Sequence, residues 1–206
     1  MFMQRSSFGR TIGQTDIVSA TDHPHGSCKA LLLVATPPLV DPNFDRTVVY
    51  MLEHNSDGAV GVVLNRPTDE ESPEIVRAWQ RHLAPPATMF QGGPVETDAL
   101  IALARLKAPV DEAWSRVTDD FGSVDLMLDP DQVAEQVLAL RVFRGYSGWG
   151  AGQLDGELAE GAWMVFPAER GDVFDPNPTG LWRAVVRRQG GKVAWLANAP
   201  DDLSAN

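Results

Sequence analysis

Cysteine is nearly absent: Cys28 stands alone among 206 residues. A single thiol cannot form an internal disulfide, which suits a reducing compartment. Long apolar runs are missing too, since none approaches the roughly 18 residues of a membrane span. Thr11, Gln14, Thr15 and Asp16 interrupt the basic-then-apolar order of a signal peptide. These absences point to the cytoplasm and to no membrane partner. Positive charge is scarce: 17 Lys and Arg stand against 28 Asp and Glu, a formal net charge of −11. A field of that sign repels phosphate backbones, so direct DNA binding is not expected.

What is present reads as an ordinary soluble fold. The hydrophobic share is 44%, and a chain of this length fits one domain, which usually has roughly 100–200 residues. Residues 1–27 end in the polar, turn-rich TDHPHGS and read as a disordered tail. A single domain, 28–206, begins with the apolar run Leu31 to Val34, expected as a strand buried on both faces.

Strands are then expected at 47–54 and 59–66, joined by the turn Asn55 to Gly58 as a hairpin. A helix is expected over 72–83, with Ser72 as cap, Pro73 at its first position and Ile75, Val76, Trp79 and Leu83 as its apolar stripe. Strand 99–106 and one or two strands within 114–128 follow. Asp129 and Pro130 predict a second helix over 129–140, burying Val133, Val137, Leu138 and Leu140. Strand 162–168 and helix 181–189 complete the order. Without strict strand–helix alternation, the class is α+β rather than doubly wound.

The segment RGYSGWGAGQLDGEL, Arg144 to Leu158, holds five glycines. A loop from Gly145 to Gly150 is expected to turn the chain off a strand into a helix over 151–160, with Leu154 and Leu158 buried. Gly152 and Gly156 form a bare stripe on that helix. Glycine there costs up to about 1 kcal/mol relative to alanine, so a neighbouring backbone is expected against the stripe. A phosphate loop is the rival. It lacks GxGxxG, because Gln153 stands where the third glycine would fall, and it lacks the Gly-Lys-Ser/Thr of a P-loop.

GYSGWGAGQLDGEL, Gly145 to Leu158, closely resembles the signature of the AlgH/YqgE family of bacterial proteins. LLVATPPLVDPNFDRTVVYMLEHNSDGAVGVVLNRP, Leu32 to Pro67, is similar to the family's N-terminal signature, and QGGPV, Gln91 to Val95, to its middle motif. The three occur in the family's order over residues 30 to 197. The resemblance implies a compact domain with a bifurcated sheet curled into a pseudo-barrel and flanking helices. It implies no catalytic residues. One branch of the family is named as a transcriptional regulator, on genetic grounds rather than from a DNA-binding motif.

Individual chemistries are incomplete. Asp41, Asn43 and Asp45 have the opening spacing of a calcium loop, but Arg46 and Leu52 stand where glycine and glutamate are needed; a turn capped by Asp41 is expected. Asp22, His23, His25 and Cys28 lack a second metal-binding pair. Glu53 and His54 are neighbours on a strand and so face opposite ways. HExxH is absent, and His54 is expected to close the hairpin. GYSGWG falls one residue short of the serine elbow. Arg183, Arg187, Arg188 and Lys192 form a basic patch that reads as a solvated helix face. Neither metal nor cofactor is expected. The reading favours a non-enzymatic binding or regulatory protein, acting through a protein or small-molecule partner. Its candidate site residues are Arg46, His54, Asn65, Tyr146, Trp149, Gln153 and Glu157. The alternative is an enzyme built around His54 and the glycine-rich segment.

Overall fold

The computed structural model describes residues 26–39, 41–107, 114–119, 121–133 and 135–199. The expected tail lies outside the described residues except for Gly26 and Ser27. Nine strands form one sheet among the described residues: β1 (Leu31–Ala35), β2 (Val48–Asn55), β3 (Gly58–Val63), β4 (Phe90–Gln91), β5 (Val95–Leu106), β6 (Trp114–Arg116), β7 (Phe121–Val124), β8 (Val137–Gly150) and β9 (Trp163–Pro167). Their order is β6-β7-β5-β8-β3-β2-β1-β9, with β4 parallel to β8 and every other pairing antiparallel. The helices are α1 (Glu74–Arg77), α2 (Pro130–Val133), α3 (Gln153–Ala159), α4 (Leu181–Arg188) and α5 (Gly191–Leu196). The α+β class and the curled sheet agree with expectation. No helix among the described residues is long and apolar enough to cross a membrane.

Alternation along the strands sorts the core. Leu32, Val34, Val48 and Tyr50 turn into the curl, where Phe90, Phe143 and Phe166 meet Trp182, Val185 and Val186 of α4. Leu33, Ala35, Val49 and Met51 turn outward beneath α3, with Ala59, Trp149, Leu154 and Trp163. On the other wing, Val76, Trp79, Leu83 and Met89 cover Ala102, Ala104, Leu140 and Val142. The wings join along β8. Its residues 137–146 pair with β5, and its residues 147–150 pair with β3. The switch falls between Tyr146 and Ser147, just after the register with β5 breaks at Gly145, whose φ is +67°, a conformation that L side chains rarely adopt.

Several expectations are corrected. The chain does not leave its strand at Gly145; β8 continues to Gly150, because residues 147–150 find a second partner in β3. The turn comes at Ala151 and Gly152, and α3 starts only at Gln153. Gly152 has φ +70°, and a Cβ on either Gly152 or Gly156 would meet nothing within 4 Å. No backbone lies on the expected bare stripe, although Leu154 is buried and Leu158 half-buried. Close packing occurs at other glycines. A Cβ on Gly92 would lie 2.3 Å from the Gly145 carbonyl oxygen, and one on Gly93 would lie 2.2 Å from the Tyr146 carbonyl carbon.

The helix expected over 129–140 stops at Val133. Val137 to Leu140 belong to β8, where Val137 and Leu140 are buried and Leu138 is 47% exposed; pairing with β5 overrides a helical pattern that also fits a strand. The helix expected over 72–83 shrinks to α1 and a 3-10 turn at Gln80–His82, with Pro73 rather than Ser72 at the cap position. Its apolar stripe is placed as expected. Asp41 caps its own turn, accepting the Asn43 N–H at 2.7 Å. Arg188 is not solvated: it grips the buried Asp172 carboxylate through two bonds of 2.6 and 2.7 Å.

Candidate functional site

The turn after β8 folds α3 back over the outer face of β3, β8 and β9. Ala59 stands opposite both His54 on β2 and Trp149 on β8. Cross-strand partners point to one face, so His54 and Trp149 emerge on the same side, beneath α3. There the Glu157 carboxylate accepts the Trp149 and Trp163 indole N–H groups at 2.9 and 2.8 Å and the Gln153 amide at 3.0 Å. Gln153 in turn accepts the Gly150 N–H at 3.1 Å. Phe44 completes an aromatic cluster, its ring centroid 5.4 Å from Trp163 and 6.2 Å from Trp149.

His54 is 7% exposed. Its Nδ1 accepts the Cys28 N–H at 3.0 Å, and its Nε2 lies 3.7 Å from Asp155 Oδ1. This corrects the expectation that His54 closes the β2–β3 hairpin. Asn55 does so, accepting the Asp57 N–H at 2.8 Å, because His54 turns inward beneath α3. An acceptor at Nδ1 places the proton of a neutral imidazole on Nε2. Burial pushes the Cys28 thiol up to about 11, and Asp155 adds to the rise. That opposes formation of the thiolate nucleophile. Glu53 faces away, as expected of a strand neighbour. It pairs with Lys29 at 2.7 Å, and this hydrogen bond is the main cause of its lowered pKa.

The seven candidate residues do not form one site. His54, Trp149, Gln153 and Glu157 gather under and along α3. Arg46 and Asn65 meet elsewhere: Asn65 donates to the Arg46 carbonyl at 2.8 Å and accepts the Val48 N–H at 2.9 Å. Arg46, with φ +50°, places its guanidinium 4.7 Å over the Trp182 ring. Both residues shape the approach to β2. Tyr146 packs on the core inside the curl.

A second polar region lies where the wings join. Gly92 bridges them: its N–H donates to the Arg144 carbonyl at 2.8 Å, and its carbonyl accepts the Val63 N–H at 2.9 Å. Beside it opens a cleft of 410 Å³ lined by Pro67, Thr68, Glu70, Gln91, Thr97 and Arg144. Pro67 and Gln91 bring two of the sequence motifs to it, and Arg144 directly precedes the third. The Arg144 Nε donates to the Thr97 carbonyl at 2.7 Å. Its terminal nitrogens pair with Asp98, at 3.2 Å, and with Glu70. These two carboxylates raise the Arg144 pKa, Asp98 first.

Sequence reasoning missed Arg144, Asp155 and Trp163. Arg144 had a readable signal, a charge inside a predicted strand beside a glycine motif. Also missed was Arg141, 1% exposed, which stands 4.2 Å over Phe90 and donates to the carbonyls of Pro85, Val173 and Asp175. Burial lowers its pKa to about 10. No group of three His, Cys, Asp or Glu among the described residues could hold a metal ion.

Known proteins are similar to this chain in sequence and in fold. A family model described as AlgH-like matches residues 32–194. The chain is 46% identical over 199 residues to a UPF0301 protein of Streptomyces avermitilis, covering 94% of this chain and 99% of the relative. It is 41% identical over 179 residues to one of Mycobacterium ulcerans, covering 85% and 89%. A crystal structure of a Corynebacterium diphtheriae protein aligns with TM-score 0.76 at 27% identity, over 82% of this chain and 90% of that one. The solution structure of the AlgH protein from Pseudomonas aeruginosa aligns with TM-score 0.62 at 30% identity, over 84% and 95%.

Proposed function

The chain belongs to the AlgH-like family, and we propose that it is a non-enzymatic binding protein of the cytoplasm, with any regulatory role exerted through a bound partner rather than through DNA. One observation carries this reading. The signature side chains nearest to a catalytic set satisfy one another: Glu157 is committed to Trp149, Trp163 and Gln153, and His54 Nδ1 to the Cys28 N–H. An acid or base must reach a substrate proton at hydrogen-bond distance, and these groups are already held by neighbours within the chain. An open polar surface that the motifs border is the Arg144 cleft, which has the size of a small-molecule site. The ion pair of Arg188 with Asp172 takes one cation from the basic face that DNA would need.

The test is a thermal-shift screen of the full chain against a metabolite library, followed by mass spectrometry of each hit after long incubation. A ligand that raises the melting temperature and is recovered chemically unchanged is the expected result. A hit that is converted to product with turnover would establish an enzyme instead.

A further inference from the structure

We infer that the cleft at Arg144 is a receptor for a small molecule bearing a carboxylate, and that Glu70 and Asp98 occupy the receptor's fork when it is empty. This rests on the binding-protein reading and names the ligand class.

The guanidinium is positioned before any ligand arrives. Arg144 is held in the sheet between Gln91 of β4 and Leu100 of β5, and the bond from Nε to the Thr97 carbonyl fixes the plane of its head. Both terminal nitrogens hold carboxylate oxygens, one from Glu70 in the cleft lining and one from Asp98 beside it. A planar fork with two aligned N–H donors matches a carboxylate in bidentate fashion. The present occupants are weakly held. The side chains of Glu70 and Asp98 are 57% and 97% exposed and reach Arg144 from separate segments, and exposed pairs of this kind contribute little. One ligand carboxylate can replace both at once, releasing two side chains to solvent.

The rest of the lining suits the body of such a ligand. Gln91 is exposed beside the fork, and Thr68 and Thr97 add hydroxyls. Gly93, whose Cβ position is closed off by the β8 backbone, adds main chain to the lining. Glu70 and Asp98 together outweigh Arg144 by one negative charge. They therefore act as competitors of an acidic ligand and set its affinity.

The experiment is an amide NMR titration of the full chain at constant ionic strength, with lactate as probe, lactamide as its neutral counterpart and inorganic phosphate as the rival anion. Lactate is expected to shift amides of residues 91–97 and 144, while lactamide does not. Affinity should rise roughly twofold to fivefold in Glu70→Gln and again in Asp98→Asn, as one competing pair is removed each time. Arg144→Gln should abolish the shifts while its spectrum stays folded. The inference is overturned if lactate and lactamide behave alike, if Glu70→Gln weakens binding, or if phosphate alone moves these amides. A library ligand that binds unchanged but carries no carboxylate would sink this inference and leave the binding-protein reading standing.

Discussion

Gly93 and Gly145 lie backbone against backbone at the join of the two wings: a Cβ on Gly145 would sit 2.7 Å from the Gly93 carbonyl oxygen. That distance is too short for any side chain, and both residues also have positive φ, +156° and +67°. Two motifs far apart in sequence thus need glycine at one seam, Gly145 against Gly93 and Gly93 against Tyr146. Gly145→Ala is expected to destabilise the protein by about 2–4 kcal/mol, combining backbone strain with overpacking. Thermal melts would check it; a variant that melts like the parent would show that the wings can separate without cost.

The glycines of α3 should behave differently. A Cβ on Gly156 would enter open space, so Gly156→Ala should gain helix propensity and stabilise by up to about 1 kcal/mol. Gly152 is equally open but has φ +70°, and Gly152→Ala should lose about 1 kcal/mol to backbone strain. Opposite signs in paired melts are the expected outcome. Equal losses would restore the packing role that the sequence suggested for both.

Glu157 is the acceptor on which α3 is pinned. Glu157→Ala leaves the indole N–H groups of Trp149 and Trp163, residues 6% and 5% exposed, without their acceptor. A loss of about 2–4 kcal/mol is expected from two such groups, together with a change in tryptophan emission. Glu157→Gln, which retains one oxygen for the indoles, should cost less. If both variants melt alike, the carboxylate is dispensable to the fold.

The limits of the sequence reading follow from partner choice. Apolar and β-branched runs identified β1, β2, β3 and β9, because each has one face turned into the curl and the other beneath α3, so both faces are apolar. The same pattern failed at both ends of β8. Val137 to Leu140 satisfy a helical and a strand pattern equally, and only pairing with β5 decides between them. Gly145 to Gly150 have the composition of a loop, and only β3 as a second partner makes them strand. Of the candidate site, the Trp149–Gln153–Glu157 group lay within one short segment and was found. Arg144 needed long-range information, since Glu70, Gln91 and Thr97 reach it from elsewhere in the chain. The basic patch misled because Asp172, which neutralises Arg188, lies 16 residues away.

That ion pair gives a further prediction. Arg188→Ala leaves Asp172, 4% exposed, without its guanidinium, and should destabilise by about 3–5 kcal/mol. Adding Asp172→Asn should recover part of the loss. A stable Arg188→Ala protein would argue that the arginine belongs to the surface after all.

The last prediction concerns Cys28. Its thiol pKa is raised by burial, from 9.0 to about 11. The folded state therefore keeps its proton at a pH where the unfolded chain releases it. Stability contributed by the neutral buried thiol is complete below pH 9 and declines as pH rises toward 11, by about 2–3 kcal/mol in all. Tyr50, pushed up to about 12 by burial, adds its own decline only above pH 10, where an ordinary tyrosine begins to ionise. Arg141, lowered to about 10, begins to release its proton in the interval from pH 9 to 10 and changes stability in the opposite sense, so the cysteine's share is the difference between parent and Cys28→Ser. Urea melts of the two across that interval should show an alkaline decline of the parent relative to the variant, and thiol alkylation of the folded parent at pH 8 should be slow. Rapid alkylation at pH 8 would mean that the segment at Cys28 opens readily, and that the contact between its N–H and His54 is no fixed part of the fold.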